Sequence, residues 1–303
     1  MSFGCACEVG LSNTGTPGCV TLQGVTSRLV FVPLKDSTGA LNFVDVSTSL
    51  PTWSTLINQA DPTKRWFPTP FIEKPELPKA DPVFEEGASG KSYFVKNGKR
   101  SFSGEIFEMP ANYAGKLQAN KCVDFGVYII DVQGNLVGSL SSDSTKLYPV
   151  PCEKVSLVAT YMMATDTTVP KIALKFDFQR LFDDSTLWLI TPEEAGINFN
   201  DLEGLLDVDM KTTAITSTSV SLQANLQYGT AVNKIPVQGL VAADFALFDN
   251  TANASVTIAT ATESATTKGL YNITYTAITG STHNLTLTVV KTGFTGLLNY
   301  VDA

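Results

Sequence analysis

The stretch that decides the fold is SVTIATATESATTKGLYNITYTAITGSTHNLTLTVV, residues 255–290. Apolar side chains alternate with polar ones at period two: Val256 and Ile258, then Tyr271, Ile273 and Tyr275, then Leu285, Leu287 and Val289. A strand turns successive side chains to opposite faces, so each run predicts a half-buried β-strand. Upstream, Val220, Leu222, Ala224 and Leu226 repeat the pattern. Gly229, Asp249-Asn250, Lys268-Gly269 and Thr279-Gly280 separate the runs with residues that favour tight turns, the spacing of a small antiparallel sandwich.

Composition changes near residue 210. Residues 211–303 hold no Cys or Trp, a single proline (Pro236) and 19 Thr, with 4 basic and 4 acidic side chains. Residues 1–210 hold 17 basic and 25 acidic side chains, so the whole net charge of -8 belongs to them. Two domains are expected, 1–208 and 209–303, joined by a linker around Asp201–Met210. An acidic surface repels a phosphate backbone, which disfavours tight DNA binding by counterion release but is compatible with a wall past which DNA slides. The N-terminal MSFGCACEVGLSNTG has neither a basic nor an apolar signal region, and no apolar run approaches the ~20 residues of a membrane span. Cys5, Cys7, Cys19, Cys122 and Cys152 form an odd set without a CxxC pair, which reads as reduced thiols in a cytoplasm.

The first domain carries strand signals at 29–34, 92–96, 101–107, 123–132, 136–140, 154–163, 171–178 and 186–190. Asn97-Gly98 and Gly134-Asn135 each predict a hairpin between the flanking strands, and 165–170 a longer tip. One helix is expected over 110–121 and a short one at Thr191-Pro192-Glu193-Glu194, where the sequence spells a capping box. The fold class is therefore mainly β, an antiparallel sandwich or barrel with one flanking helix, followed by a second sandwich. Residues 51–90 stand apart, with seven of the fifteen prolines and Trp53, Trp66, Phe67, Phe71 and Phe84. So much proline excludes a central strand and predicts an extended arm, which either packs on a neighbouring subunit or wraps its own domain.

No catalytic set is legible. Glu85–Ser92, EEGASGKS, ends like a phosphate-binding loop, but Glu85 stands where the first glycine is needed and a strand follows where a helix must. His283 is the one imidazole and reads as a surface or turn residue. Cys5, Cys7 and Cys19 supply three thiolates in an atypical spacing for zinc. The pairs Glu85-Glu86, Asp183-Asp184, Glu193-Glu194 and Asp207/Asp209 read as turns, caps or linker charge, and the sequons at Asn253, Asn272 and Asn284 as products of Thr abundance. Lys91, Lys96, Lys99 and Arg100 form the one basic cluster, a solvated loop or a patch for the acidic surface of another copy. Neither enzyme activity nor a cofactor is expected.

The segment DFALFDN, residues 244–250, with the alternating runs that follow it and the closing Leu-Thr-Leu-Thr-Val, resembles the bacterial-type immunoglobulin-like domains appended to phage virion proteins. With the hairpin-rich domain, single helix and long arm ahead of it, the chain resembles the major tail tube proteins of tailed phages. That resemblance implies hexameric rings stacked into a tube for double-stranded DNA as passing cargo, long loops touching adjacent rings, and an outer immunoglobulin-like domain. It also implies a virion tail location after synthesis in the host cytoplasm, with itself and other virion proteins as partners. Trp53, Trp66, Phe67, Phe71, Phe84, Lys96, Lys99 and Arg100 are the candidate subunit-interface residues. Two other readings use the same domain types, a capsid decoration or head-surface protein and a carbohydrate-binding adhesin.

Overall fold

The computed structural model describes residues 15, 20–180, 182–278 and 282–301. The described chain is mainly β, with antiparallel sheets and three short α-helices. Its centre is the pair Thr26–Pro33 and Phe125–Asp131, which run antiparallel and are buried along nearly their whole length. Successive side chains of these strands point into two different cores, which is why both read as almost continuous apolar runs. Leu29, Phe31, Phe125, Val127 and Ile129 enter one core, Val30, Val32, Tyr128 and Ile130 the other.

Around this pair an eight-stranded sheet forms in the order Val44–Asp45, Lys146–Tyr148, Leu136–Leu140, Phe125–Asp131, Thr26–Pro33, Phe67–Pro68, with Val150–Pro151 and Leu187–Ile190 pairing from its sides. The first core is closed by a four-stranded sheet, Val158–Met162, Lys171–Asp177, Ser101–Phe107 and Glu73–Glu76, and by helix Ala111–Ala119 through Ala114 and Leu117. Phe31, Phe102, Phe125, Phe176 and Phe178 meet there at centroid separations of 4.9–6.2 Å. Each such side chain removed from water contributes about 1.5–3 kcal/mol. The second core is closed by helix Trp53–Ile57, by Trp66 and by Ile190, Phe199 and Leu202. The sheet is thus covered on both faces, a three-layer unit.

The expected helix is present over Ala111–Ala119 and runs into a 3-10 turn, Asn120–Cys122. The capping box forms between Thr191 and Glu194 and starts helix Pro192–Ala195, which Gly196 ends at φ 70°. The Gly134-Asn135 hairpin is also present, with Gly134 at φ 83° and the Asp131 carboxylate accepting from the Gln133 and Asn135 amides. The Asn97-Gly98 hairpin is not. Ser92–Lys96 pairs with Val83–Glu86, and Ser101–Phe107 with Lys171–Asp177 and Glu73–Glu76. Neither residue takes the positive φ that a two-residue hairpin turn demands. Gly98 serves close approach instead, because a Cβ there would lie 1.5 Å from the Ala80 carbonyl oxygen.

The second unit begins earlier than expected. Leu202 belongs to the second core of the first unit, and Leu206–Thr216 is already a strand of the next sheet, so little of Asp201–Met210 is linker. Nine strands run in the order Ala254–Val256, Phe245–Asp249, Asn284–Val289, Phe294–Val301, Leu206–Thr216, Ser219–Gly229, Leu270–Tyr275, Ile258–Glu263, with Lys234–Pro236 beside Ser219–Gly229. The two ends of that path adjoin in sequence across Thr257, so the sheet curls into a near-barrel around Val220, Leu222, Tyr271, Ile273, Leu285 and Leu287. One parallel contact, Leu206 with Phe294 and Asp207 with Thr295, joins its two halves. The expected turns at Gly229 and Gly269 have φ of 110° and 73°; Thr279-Gly280 lies outside the described residues.

The two units touch at helix Ala111–Ala119. Lys116 Nζ lies 2.6 Å from Asp207 Oδ2 and 4.8 Å from the Tyr228 ring centroid, and Asn112 Nδ2 donates to the Gln227 carbonyl at 2.8 Å. From the other side the Gly293 amide donates to Asn58 Oδ1 at 2.9 Å.

A candidate assembly surface

Glu73–Glu76 pairs with Ser101–Phe107 at the edge of the four-stranded sheet, and the two strands continue outward together. Lys79 and Arg100 face each other, with the Ala80 amide bonded to the Lys99 carbonyl at 2.9 Å and the Ser101 amide to the Pro78 carbonyl at 3.0 Å. Farther out Val83–Glu86 pairs with Ser92–Lys96, and the turn closes with Gly87 N to Lys91 O at 2.9 Å. The result is one ribbon. Pro75, Pro78 and Pro82 all lie on its outgoing strand, since proline lacks the N–H that a central strand needs. Gly87 lies eight steps along the chain from Lys79, so at ~3.3 Å each the ribbon reaches about 26 Å beyond the bridge.

Every residue of Val83–Glu86 and Ser92–Lys96 is exposed. Phe84 and Phe94 stand opposite each other on one face, 58% and 57% exposed, with ring centroids 5.9 Å apart in an edge-on arrangement. Val83, Tyr93 and Val95 are exposed as well. A two-stranded hairpin alone in water is marginal, and apolar area in its faces adds to the drive toward a covering partner.

The base is held firmly. Asp184 receives Lys79 at 2.6 Å and Arg100 at 2.9 Å, Lys99 reaches Asp177 at 2.7 Å, and Glu105 takes both Lys74 and Lys171. Burial works to raise the Asp184 carboxyl, but Lys79 and Arg100 outweigh it and hold it below the usual carboxylate range. Of the expected basic cluster, Lys99 and Arg100 are therefore used within the protomer. Lys91 lies over the Tyr93 ring at 5.4 Å, and Lys96 makes no ion pair among the described residues.

The aromatic arm of 51–90 divides likewise. Trp53 and Trp66, each 4% exposed, are core residues: Trp53 meets Phe199 at 4.7 Å and donates from Nε1 to the Ala195 carbonyl, and Trp66 meets Tyr128 at 4.8 Å. Phe67 and Phe71 stay at the surface, Phe71 beneath the Arg28 guanidinium at 5.2 Å. Of the expected aromatics only Phe84 lies on the ribbon, which adds Tyr93, Phe94 and Val95 from the strand that follows. Their signal was the run Ser-Tyr-Phe-Val-Lys, apolar at consecutive positions and therefore on both faces.

The residues weighed for chemistry are occupied structurally. His283 Nδ1 lies 2.5 Å from Asp249 Oδ2, an acid partner that sequence reasoning did not foresee. Asp249 Oδ1 accepts from the Thr251 and Ala252 amides, so the pair clasps the turn after Phe245–Asp249 to the start of Asn284–Val289. Gly90 and Lys91 lie in the tip of the ribbon, and Ser92 opens the strand that follows. Asp183 caps the Ser185 amide beside the ion-paired Asp184. Cys5, Cys7 and Cys19 lie outside the described residues, and among the described residues no group of three or more His, Cys, Asp or Glu is placed to hold a metal. No helix among them is long and apolar enough to cross a membrane.

No protein-family model matches this chain, and no curated protein matches it.

Proposed function

We propose that this chain is a structural virion protein that assembles with copies of itself into stacked rings, forming a phage tail tube for DNA passage. In this reading the second unit is an immunoglobulin-like domain on the outer surface. The observation that carries it is the ribbon 83–96, built and anchored at its base yet covered on neither face. Such an element has a physical purpose only when another surface completes it. Two features support a homo-oligomer. The four-stranded sheet ends in an edge strand, Val158–Met162, where pairing between copies would remove an aggregation-prone edge. The acidic surplus of the first unit suits a wall that DNA must pass without adhering.

Electron microscopy of the purified protein tests this directly. Rings or tubes of constant diameter are expected, and a monodisperse monomer at high concentration refutes the reading. Removal of residues 206–303 should leave the rings intact, because the second unit has its own core.

A further inference from the structure

We propose that the edge strand Leu187–Ile190 and the apolar groove beside Trp188 receive the ribbon 83–96 of a second copy. The inference rests on the assembly reading above and names the surface that completes it.

Leu187–Ile190 pairs on one side only, with Leu136–Leu140, and has no second strand neighbour among the described residues. Its sequence, Leu-Trp-Leu-Ile, carries no charge, proline or other device that blunts an edge, and such an edge is a template for an added strand. Beside it lies a groove of about 430 Å³ lined by Val46, Leu50, Leu140, Leu147, Trp188 and Leu189. That volume lies within the range of sites that accept ring-sized apolar groups. Trp188 is 59% exposed, the most exposed tryptophan described. Free main-chain groups and a free apolar surface therefore coincide at one place.

The ribbon offers the complement to both. Either of its strands has an open edge, and Phe84 with Phe94 forms an apolar face that nothing in the protomer covers. A one-residue bulge between Phe94 and Lys96 sets Lys96 opposite Val83, on the face turned away from Phe84 and Phe94. Phe84 and Phe94, which share one face, turn about 230 Å² of exposed side chain toward a covering surface, over a quarter of the ~800 Å² that one partner contributes to a stable interface. No ribbon residue lines the groove of its own protomer. Repeated head to tail, such a contact closes into rings or propagates into filaments.

A photoreactive phenylalanine analogue at position 94, doped into assemblies of ¹⁵N-labelled wild-type copies, tests the pairing by mass spectrometry of cross-linked peptides. Cross-links between differently labelled chains at 136–147 or 187–194 are expected. Assemblies that cross-link elsewhere on the second copy, or within one chain, including residues 1–22, overturn this inference and leave the assembly reading standing. A wild-type protein that never assembles overturns both. As a second measurement, Trp188→Ala should raise the critical concentration for assembly by about tenfold or more, with the monomer's thermal transition unmoved. An unchanged critical concentration for Trp188→Ala refutes the pairing.

Discussion

If the chain assembles as proposed, replacing both Phe84 and Phe94 by Ser separates assembly from folding in one protein. The two side chains are 58% and 57% exposed in the protomer. A phenylalanine offers roughly 200 Å², so each leaves about 115 Å² in water. At ~25 cal/mol/Å² complete covering is worth about 3 kcal/mol per phenyl group, and half covering about 1.5. The double variant therefore loses about 3 kcal/mol per contact, which raises the critical concentration for assembly by about 100-fold. Within the protomer only their mutual edge-on contact disappears, worth about 1 kcal/mol in an arm remote from both cores. The main thermal transition should stay within a few degrees of wild type. Sedimentation across a concentration series, paired with calorimetry, reads both quantities. Assembly at the wild-type concentration would refute the reasoning, and so would a large fall in melting temperature, which would mean that these groups hold the fold together.

Trp53→Ala should act in the opposite way: with Trp53 4% exposed against Phe199 and Trp66, its loss costs about 3–5 kcal/mol and lowers the melting temperature by about 6–20 °C, and a stable variant that merely fails to assemble would contradict its placement in the core. Gly98→Ala forces the ribbon apart at Ala80, where the new Cβ would lie 1.5 Å from a carbonyl oxygen, at a cost of about 1–3 kcal/mol; hydrogen exchange at Ala80 and Ser101 should quicken, and unchanged protection refutes the close approach. Burial works to raise the Asp249 carboxyl, but the Ala252 amide, His283 and the Thr251 amide outweigh it and hold the group below its ordinary value. Its stabilisation is accordingly present above the unfolded value of about 3.9 and lost as pH falls through the lower folded value. Asp249→Asn should flatten that acid-side decline in calorimetric scans, and equal slopes for variant and wild type would count against the clasp.

Local alternation and turn chemistry were enough to locate most strands, because side-chain direction in a strand is fixed by sequence spacing alone. Tyr271, Ile273 and Tyr275, or Leu285, Leu287 and Val289, carry their own record of which face is buried. The helix at Ala111–Ala119 and the Thr191 capping box were legible for the same reason, since their determinants lie within one turn. Partner choice was not legible. Asn97-Gly98 has the composition of a hairpin turn, yet the contact that fixes its conformation is with Ala80, and sequence spacing does not encode which distant backbone approaches a glycine. The aromatic arm shows the same limit: Trp53, Trp66 and Phe84 are equivalent as composition, but two of them found Tyr128 and Phe199 while the third was carried outward on a paired ribbon. The sequence by itself determined the β class and the position of many of the strands, both consequences of period and local propensity. Only the tertiary structure decided which apolar side chains are buried and which stay exposed, because that depends on contacts between segments far apart in the chain.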